Sequence, residues 1–153
     1  MRLLIAAVGR LKKKTPEDVL IEGYVSKTRL SIEIKEVEEK KSLPPEQLKK
    51  AESELLLHQV PVGAKIVALD ETGVLMTSRE FAGRLKTWMD EGVPCVAFLI
   101  GGANGHDDIL KNKADLKVSF GRMTLPHMLA RVVLVEQLYR AKTIIDNHPY
   151  HRD

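Results

Sequence analysis

The run Cys95 to Ile100 carries no polar side chain and is followed at once by Gly101-Gly102. Six residues are far too few to cross a membrane, and an unbroken apolar run is wrong for a strand with one wet face. It therefore reads as a strand buried on both sides. Such a strand needs helices above and below it, as in the parallel sheet of an α/β domain. The remaining chain has the matching rhythm. Arg2 to Val8, Ser31 to Val37, Lys65 to Leu69 and Leu116 to Phe120 have strand character. Helical patterns separate them. The first has Thr15 as N-cap and Pro16 at the first helical position and runs to about Arg29; the second opens at Pro44, carries Leu48, Leu55 and Leu56, and ends before Val60-Pro61-Val62-Gly63. A third is capped by Thr77 or Ser78 and presents Phe81, Leu85 and Trp88, and a weaker one lies near Asp107 to Asn112. The last runs from about Pro126 to Ile145, with Met128, Val132, Val135 and Tyr139 at helical spacing and Leu129, Val133 and Leu138 widening the stripe. That is more apolar surface than one small sheet face needs, so part of it is expected to meet a second subunit.

At 153 residues the chain has the length of one domain, expected to span 1–153 with no linker or repeat. A hydrophobic fraction of 44% with 29% charged residues excludes disordered and fibrous classes. No apolar run reaches the ~20 residues of a membrane span. The opening Met1 to Lys14 places its basic cluster after its apolar stretch, the reverse of a signal peptide, so a cytoplasmic protein is expected. The lone Cys95 has no Cys or His at ligand spacing and reads as a small buried residue; no metal site is expected.

Lys and Arg total 24 against 21 Asp and Glu, a net charge of +3, which permits a nucleic-acid partner without diagnosing one. Basic residues gather at Arg10 and Lys12 to Lys14, and again at Arg131, Arg140, Lys142, His148, His151 and Arg152. The first group reads alone as a solvated turn and, on an RNA-binding protein, as auxiliary phosphate contacts. Lys35 to Lys41, interleaved with Glu36, Glu38 and Glu39, reads as a solvated, self-neutralising segment.

Open parallel sheets bind ligands beyond the carboxyl ends of their strands. Three segments qualify: Leu69 to Gly73, Ile100 to Gly105, and Ser119 to His127. The glycines at 101, 102 and 105 suit close backbone approach to a ligand and suit a plain tight turn equally well, since their spacing is not GxGxxG. No GK[ST] loop, GxSxG elbow, HExxH or CxxC occurs, which leaves acyl transfer through serine and zinc hydrolysis without support. His127 and Arg131 share a helix face beside the third loop. The tail from Asn147 to Asp153 holds two imidazoles, a phenol and a guanidinium; it reads as a frayed terminus or as an RNA-recognition segment, in which Tyr and His stack on bases and Arg pairs with phosphate.

Leu99-Ile100-Gly101-Gly102, Thr124-Leu125-Pro126-His127, Arg131-Val132-Val133, Glu136 to Ala141 and Asn147 to Arg152 resemble the bacterial large-subunit (23S) rRNA pseudouridine N3-methyltransferases of the SPOUT superfamily. The resemblance runs from Ala7-Val8-Gly9 through Leu69-Asp70 to the tail and is loosest over residues 10 to 60. It implies an α/β fold with a C-terminal trefoil knot, a homodimer, and S-adenosylmethionine bound by the knot loops. On this chain those loops are Leu69, Gly101 and Gly102, and the run Phe120, Gly121, Arg122, Met123, Thr124 and Leu125. The implied reaction is methyl transfer to N3 of a pseudouridine in 23S rRNA on the assembled ribosome, without a metal. Since N3 is a weak acid, Arg152 and Arg131 are expected to stabilise its anion, His151 to act as general base and Tyr150 to position the base. His127 is expected to support rather than react, and in a dimer the tail is expected to complete the partner's site. The alternatives are a SPOUT enzyme for another RNA atom, such as a tRNA ribose hydroxyl, and a non-catalytic ribosome-associated factor.

Overall fold

The computed structural model describes residues 1–153 as ten strictly alternating elements: β1 (Arg2–Val8), α1 (Pro16–Lys27), β2 (Ser31–Val37), α2 (Pro45–His58), β3 (Lys65–Leu75), α3 (Ser78–Asp90), β4 (Cys95–Ile100), α4 (Asp108–Lys113), β5 (Leu116–Ser119) and α5 (His127–Ile145). The strands form one parallel sheet in the order β2-β1-β4-β3-β5. The apolar run that most constrained the chain is indeed the middle strand, buried at all six positions.

Side chains alternate across a strand, so each central strand feeds two cores. Leu3, Ile5 and Ala7 of β1 and Val96, Phe98 and Ile100 of β4 pack with Ile21 of α1, Phe81, Leu85 and Trp88 of α3, and Val132, Leu134, Val135 and Leu138 of α5. Leu4, Ala6 and Val8, with Cys95, Ala97 and Leu99, pack on the other face against Leu56 of α2 and Leu110 of α4. Cys95 is thus the small buried residue expected.

The helix starts follow their capping residues. Thr15 accepts from the Asp18 amide, and Thr77, not Ser78, makes a full capping box with Glu80. The largest departure is β3. Residues 70 to 73, expected as a loop after the strand, are a bulge between Leu69 and Val74, after which the strand resumes beside β5. The cause is non-local: β5 lies so close that a Cβ on Gly73 would meet the Lys117 carbonyl at 2.7 Å. α5 is wedged between α1 and α3 on one face of the sheet, which absorbs most of its wide apolar stripe and leaves Leu129 41% exposed. No helix is long and apolar enough to cross a membrane.

Candidate active site

The carboxyl ends of β3, β4 and β5 open into one cavity of about 670 Å³, a size suited to a small-molecule ligand. Leu69, Gly101, Gly102, Phe120, Gly121, Met123, Thr124 and Leu125 all line it. Arg122 is exposed and does not. The three chain segments chosen from sequence as strand-following therefore converge, even though the first is a bulge and not a free loop.

The second segment folds as a tight turn in which the Gly105 amide donates to the Gly102 carbonyl at 3.0 Å. Side chains cannot replace its hydrogens freely. A Cβ on Gly101 would lie 3.1 Å from the Gly105 carbonyl and 3.2 Å from the His106 ring, and one on Gly102 would lie 3.0 Å from both Glu52 carboxylate oxygens. His106 is 4% exposed, and its Nε2 donates to the Leu99 carbonyl at 3.1 Å. Burial pulls its pKa down against the opposing pull of the Leu99 carbonyl and Asp70, so the ring is held neutral. Glu52, 8% exposed on α2, is held above the ordinary carboxylate range by burial and by the negative charge of Glu39.

Charge at the rim is mixed. Burial raises the Asp70 pKa, but the Thr72 hydroxyl at 2.8 Å, the Thr72 amide and Lys111 at 3.7 Å outweigh it and keep the carboxylate ionised. Lys49 of α2, Lys111 of α4 and His127 at the start of α5 also line the cavity.

Arg131 does not line it. It is 2% exposed, and its Nη1 donates to Glu36 Oε2 at 2.6 Å, an oxygen that also accepts from the Leu11 amide at 2.7 Å. Burial works to raise the Glu36 pKa, and the hydrogen bonds from Arg131 and Leu11 reverse the sign, leaving it below the ordinary carboxylate range. Glu36 is thus no part of a merely solvated, self-neutralising segment: it anchors the buried guanidinium across the sheet edge.

The tail folds back onto its own protomer. The Tyr150 hydroxyl donates to Glu136 Oε1 at 2.9 Å, its ring packs 4.8 Å from the Tyr139 ring, and the Arg140 guanidinium lies 4.8 Å from the Tyr150 ring centre. Arg140 also donates to Glu136 at 2.6 Å and to His151 Nδ1 at 3.0 Å. With Nδ1 accepting, Nε2 carries the hydrogen that bonds Asp153 at 2.9 Å. Asp153 is clasped by Arg79 at 2.7 Å, and these two donors bring its pKa down to about 2. Arg152 is exposed and enters no ion pair or hydrogen bond. At ~1.5 Å rise per residue, Glu136 and Arg140 stand roughly 13–20 Å along α5 from His127 at the cavity. Within one protomer, therefore, the structure brings together at the cavity eight of the nine residues expected to bind a cofactor, all but Arg122, and places Tyr150, His151, Arg152 and Arg131 outside its lining.

The two basic regions are partly paired, with Lys12, Lys14, His148 and Arg152 outside any ion pair. Arg10 pairs with Glu38 at 3.2 Å and Lys13 with Glu22 at 3.8 Å, while Arg140 and Lys142 pair with Glu136 and Asp146. Sequence reasoning missed His106 and Lys49 at the cavity and Glu52 behind its glycine turn. Glu52 lies on the same helix face as Leu48, Leu55 and Leu56, and a glutamate on that apolar stripe was the available signal.

A turn with no room for side chains at Gly101 and Gly102, apolar walls from Leu69, Phe120, Met123 and Leu125, and polar groups at Asp70 and Thr124 suit a ligand with a flat heterocycle, a hydroxylated sugar and a charged end, as S-adenosylmethionine has. Comparison with known proteins agrees. A family model described as "Predicted SPOUT methyltransferase" matches residues 1–151. The chain is similar to proteins named "Ribosomal RNA large subunit methyltransferase H" from Paramagnetospirillum magneticum (55% identical), Rhodospirillum centenum (48%) and Rhodospirillum rubrum (47%), each over 99% of both chains. Proteins of this kind draw their methyl group from S-adenosylmethionine. The parallel α/β sheet, the cavity beyond its strand ends and these full-length likenesses lead to one conclusion: the chain belongs to the SPOUT methyltransferase family.

Proposed function

We propose that this methyltransferase acts on N3 of a pseudouridine in 23S rRNA within the assembled ribosome, as a cytoplasmic homodimer whose C-terminal segment forms a trefoil knot. The observation that carries the reading is the convergence of Leu69, Gly101, Gly102, Phe120, Gly121, Met123, Thr124 and Leu125 on one cavity in a chain 55% identical to a protein named for large-subunit rRNA methylation. Leu69, Phe120, Met123 and Leu125 would enclose the adenine, and the Gly101-Gly102 turn and Thr124 would read its polar edge. When bound there, S-adenosylmethionine supplies an electrophilic methyl group with its leaving group attached.

The chain's own task is to make N3 nucleophilic and align it. With an N3 pKa two to three units above ambient pH, exposing the anion costs about 3–4 kcal/mol. Arg152, the tail cation with no partner, offsets that cost beside the anion. His151 takes the N3 proton at Nδ1, its hydrogen-free nitrogen, once Arg140 releases that nitrogen, while Nε2–H stays on Asp153, and Tyr150 stacks the base. Arg131, buried with Glu36, acts from behind, fixing Gly9 to Leu11 near His127. A tail docked roughly 13–20 Å from its own cavity along α5 serves the partner's cavity more readily than its own, which supports a site shared between protomers. Exposed Met123 and Leu129 offer apolar surface for that contact, and Lys12 to Lys14 provide RNA phosphate contacts.

Labelled S-adenosylmethionine, ribosomes lacking the modification and two variants test this. Gly102→Val should abolish both cofactor binding and transfer, while Arg152→Ala should abolish transfer alone. Mixing the two should restore activity through dimers with one intact composite site, and no recovery would reject the shared site.

A further inference from the structure

Four buried side-chain atoms in the protein have no hydrogen-bond partner: Glu52 Oε1, His106 Nδ1, and Nε and Nη2 of Arg131. The Arg131 pair belongs to a guanidinium already neutralised by Glu36. The other two belong to residues that flank one five-residue turn. His106 packs against Gly101 and Glu52 against Gly102, each within about 3 Å of where a side chain would begin.

A buried acceptor without a donor is costly, and folds seldom keep one without a use for it. Here the donors are close by. In the turn only the Gly105 amide is engaged across it, to the Gly102 carbonyl; the amides of Ala103 and Asn104, both exposed, donate to no protein group. Glycines at 101, 102 and 105 make a peptide reorientation inexpensive. Lys49, one turn before Glu52 on α2, lines the cavity, whereas Glu52 lies behind the turn and does not. The nearest route by which a bound ligand can supply Glu52 with a donor therefore runs through the turn's own backbone.

Resting on the assignment of this cavity to S-adenosylmethionine, we propose that Glu52 is a positioning residue for the cofactor turn: on cofactor binding the Gly101 to Gly105 backbone reorients and an amide of Ala103 or Asn104 donates to Glu52 Oε1. The turn is thereby held against the ligand by a carboxylate that waits for it. Burial and the Glu39 charge keep the waiting carboxylate destabilised, so the gained hydrogen bond adds to cofactor affinity and not to the stability of the ligand-free fold.

The test compares the wild-type protein with Glu52→Leu and Glu52→Gln by three readouts: melting temperature without ligand, dissociation constant for S-adenosylmethionine by calorimetry, and amide exchange at residues 102 to 105. Glu52→Leu should melt no lower than wild type, bind about tenfold more weakly, and lose the cofactor-induced protection at Ala103 and Asn104. Glu52→Gln, which keeps one acceptor oxygen, should fall between. Wild-type affinity in Glu52→Leu, or weakened binding with an equally lowered melting temperature in the absence of ligand, would overturn the proposal by making Glu52 inert or merely structural. Failure of the wild-type protein to bind S-adenosylmethionine would overturn the cavity assignment as well, an outcome distinct from normal wild-type binding with an indifferent Glu52→Leu.

Discussion

The Tyr150 hydroxyl and the Glu136 carboxylate meet at 2.9 Å across fourteen residues, and this contact ties the C-terminal tail to the middle of the long last helix. Burial first, and then the Glu136 carboxylate, push the phenol's pKa well above its ordinary value, so Tyr150 stays a neutral donor throughout the physiological range. Because the same carboxylate also holds Arg140, which in turn holds His151, one side chain organises the tail.

Glu136→Ala should therefore cost about 1–3 kcal/mol of unfolding free energy, the range for losing charge-assisted hydrogen bonds in a partly buried site. Hydrogen exchange should rise at residues 148 to 153 while the cavity loops keep their protection. Unchanged exchange in the tail would show that Glu136 does not hold it.

The Arg131 and Glu36 pair is asymmetric, and so are its expected mutants. Arg131 is 2% exposed and Glu36 about a quarter exposed, so Glu36→Gln strands a buried cation and should cost about 3–5 kcal/mol. Arg131→Met leaves a carboxylate that water reaches and should cost less. Glu36 titrates below 4.5 in the folded protein, so its contribution is present above pH 4.5 and is lost as pH falls through the folded value. Denaturant titrations from pH 3 to 7 check both points: Arg131→Met should flatten the acid-side loss relative to wild type, and equal slopes would contradict the pairing.

His106 gives a pH dependence of its own. Its folded pKa lies below the ordinary 6.5, so below pH 6.5 the unfolded chain takes up a proton that the folded chain resists. The protein should lose stability as pH falls from 6.5 toward the folded value, and His106→Gln should lose less over that span. A wild-type protein and variant with parallel denaturation midpoints at pH 7.5 and 5.5 would show that the ring is not held neutral.

Gly73→Ala should destabilise the fold by about 1–3 kcal/mol, because its new methyl group meets the β5 backbone at Lys117 and only backbone movement can relieve it. Gly83→Ala, with nothing within 4 Å, sits in a helix and should be neutral or mildly stabilising. Urea unfolding of the two variants compares them directly, and equal effects would contradict the close approach of β3 and β5.

Local rules carried the fold far. The continuous run Cys95 to Ile100, the Thr15 and Thr77 caps and the glycines after β4 state their structure within a few residues. What sequence did not disclose depends on partners distant in the chain. The β3 bulge is dictated by β5 some forty residues on, and Glu36 is a plain strand glutamate until Arg131 arrives from 95 residues away. The cavity loops were legible because strand ends mark ligand sites, whereas Glu52 and His106 owe their importance to what packs on Gly101 and Gly102. The tail carried recognisable chemistry, but its docking on Glu136 and Arg79 left no mark in local pattern.

The most direct measurement is nucleoside mass analysis of 23S rRNA after incubating the protein and S-adenosylmethionine with ribosomes that lack the modification, with free rRNA in parallel. The account predicts a methyl group on N3 of one pseudouridine, formed on ribosomes in preference to free rRNA. Methyl appearing on another atom or in tRNA, or none appearing despite bound cofactor, would contradict it.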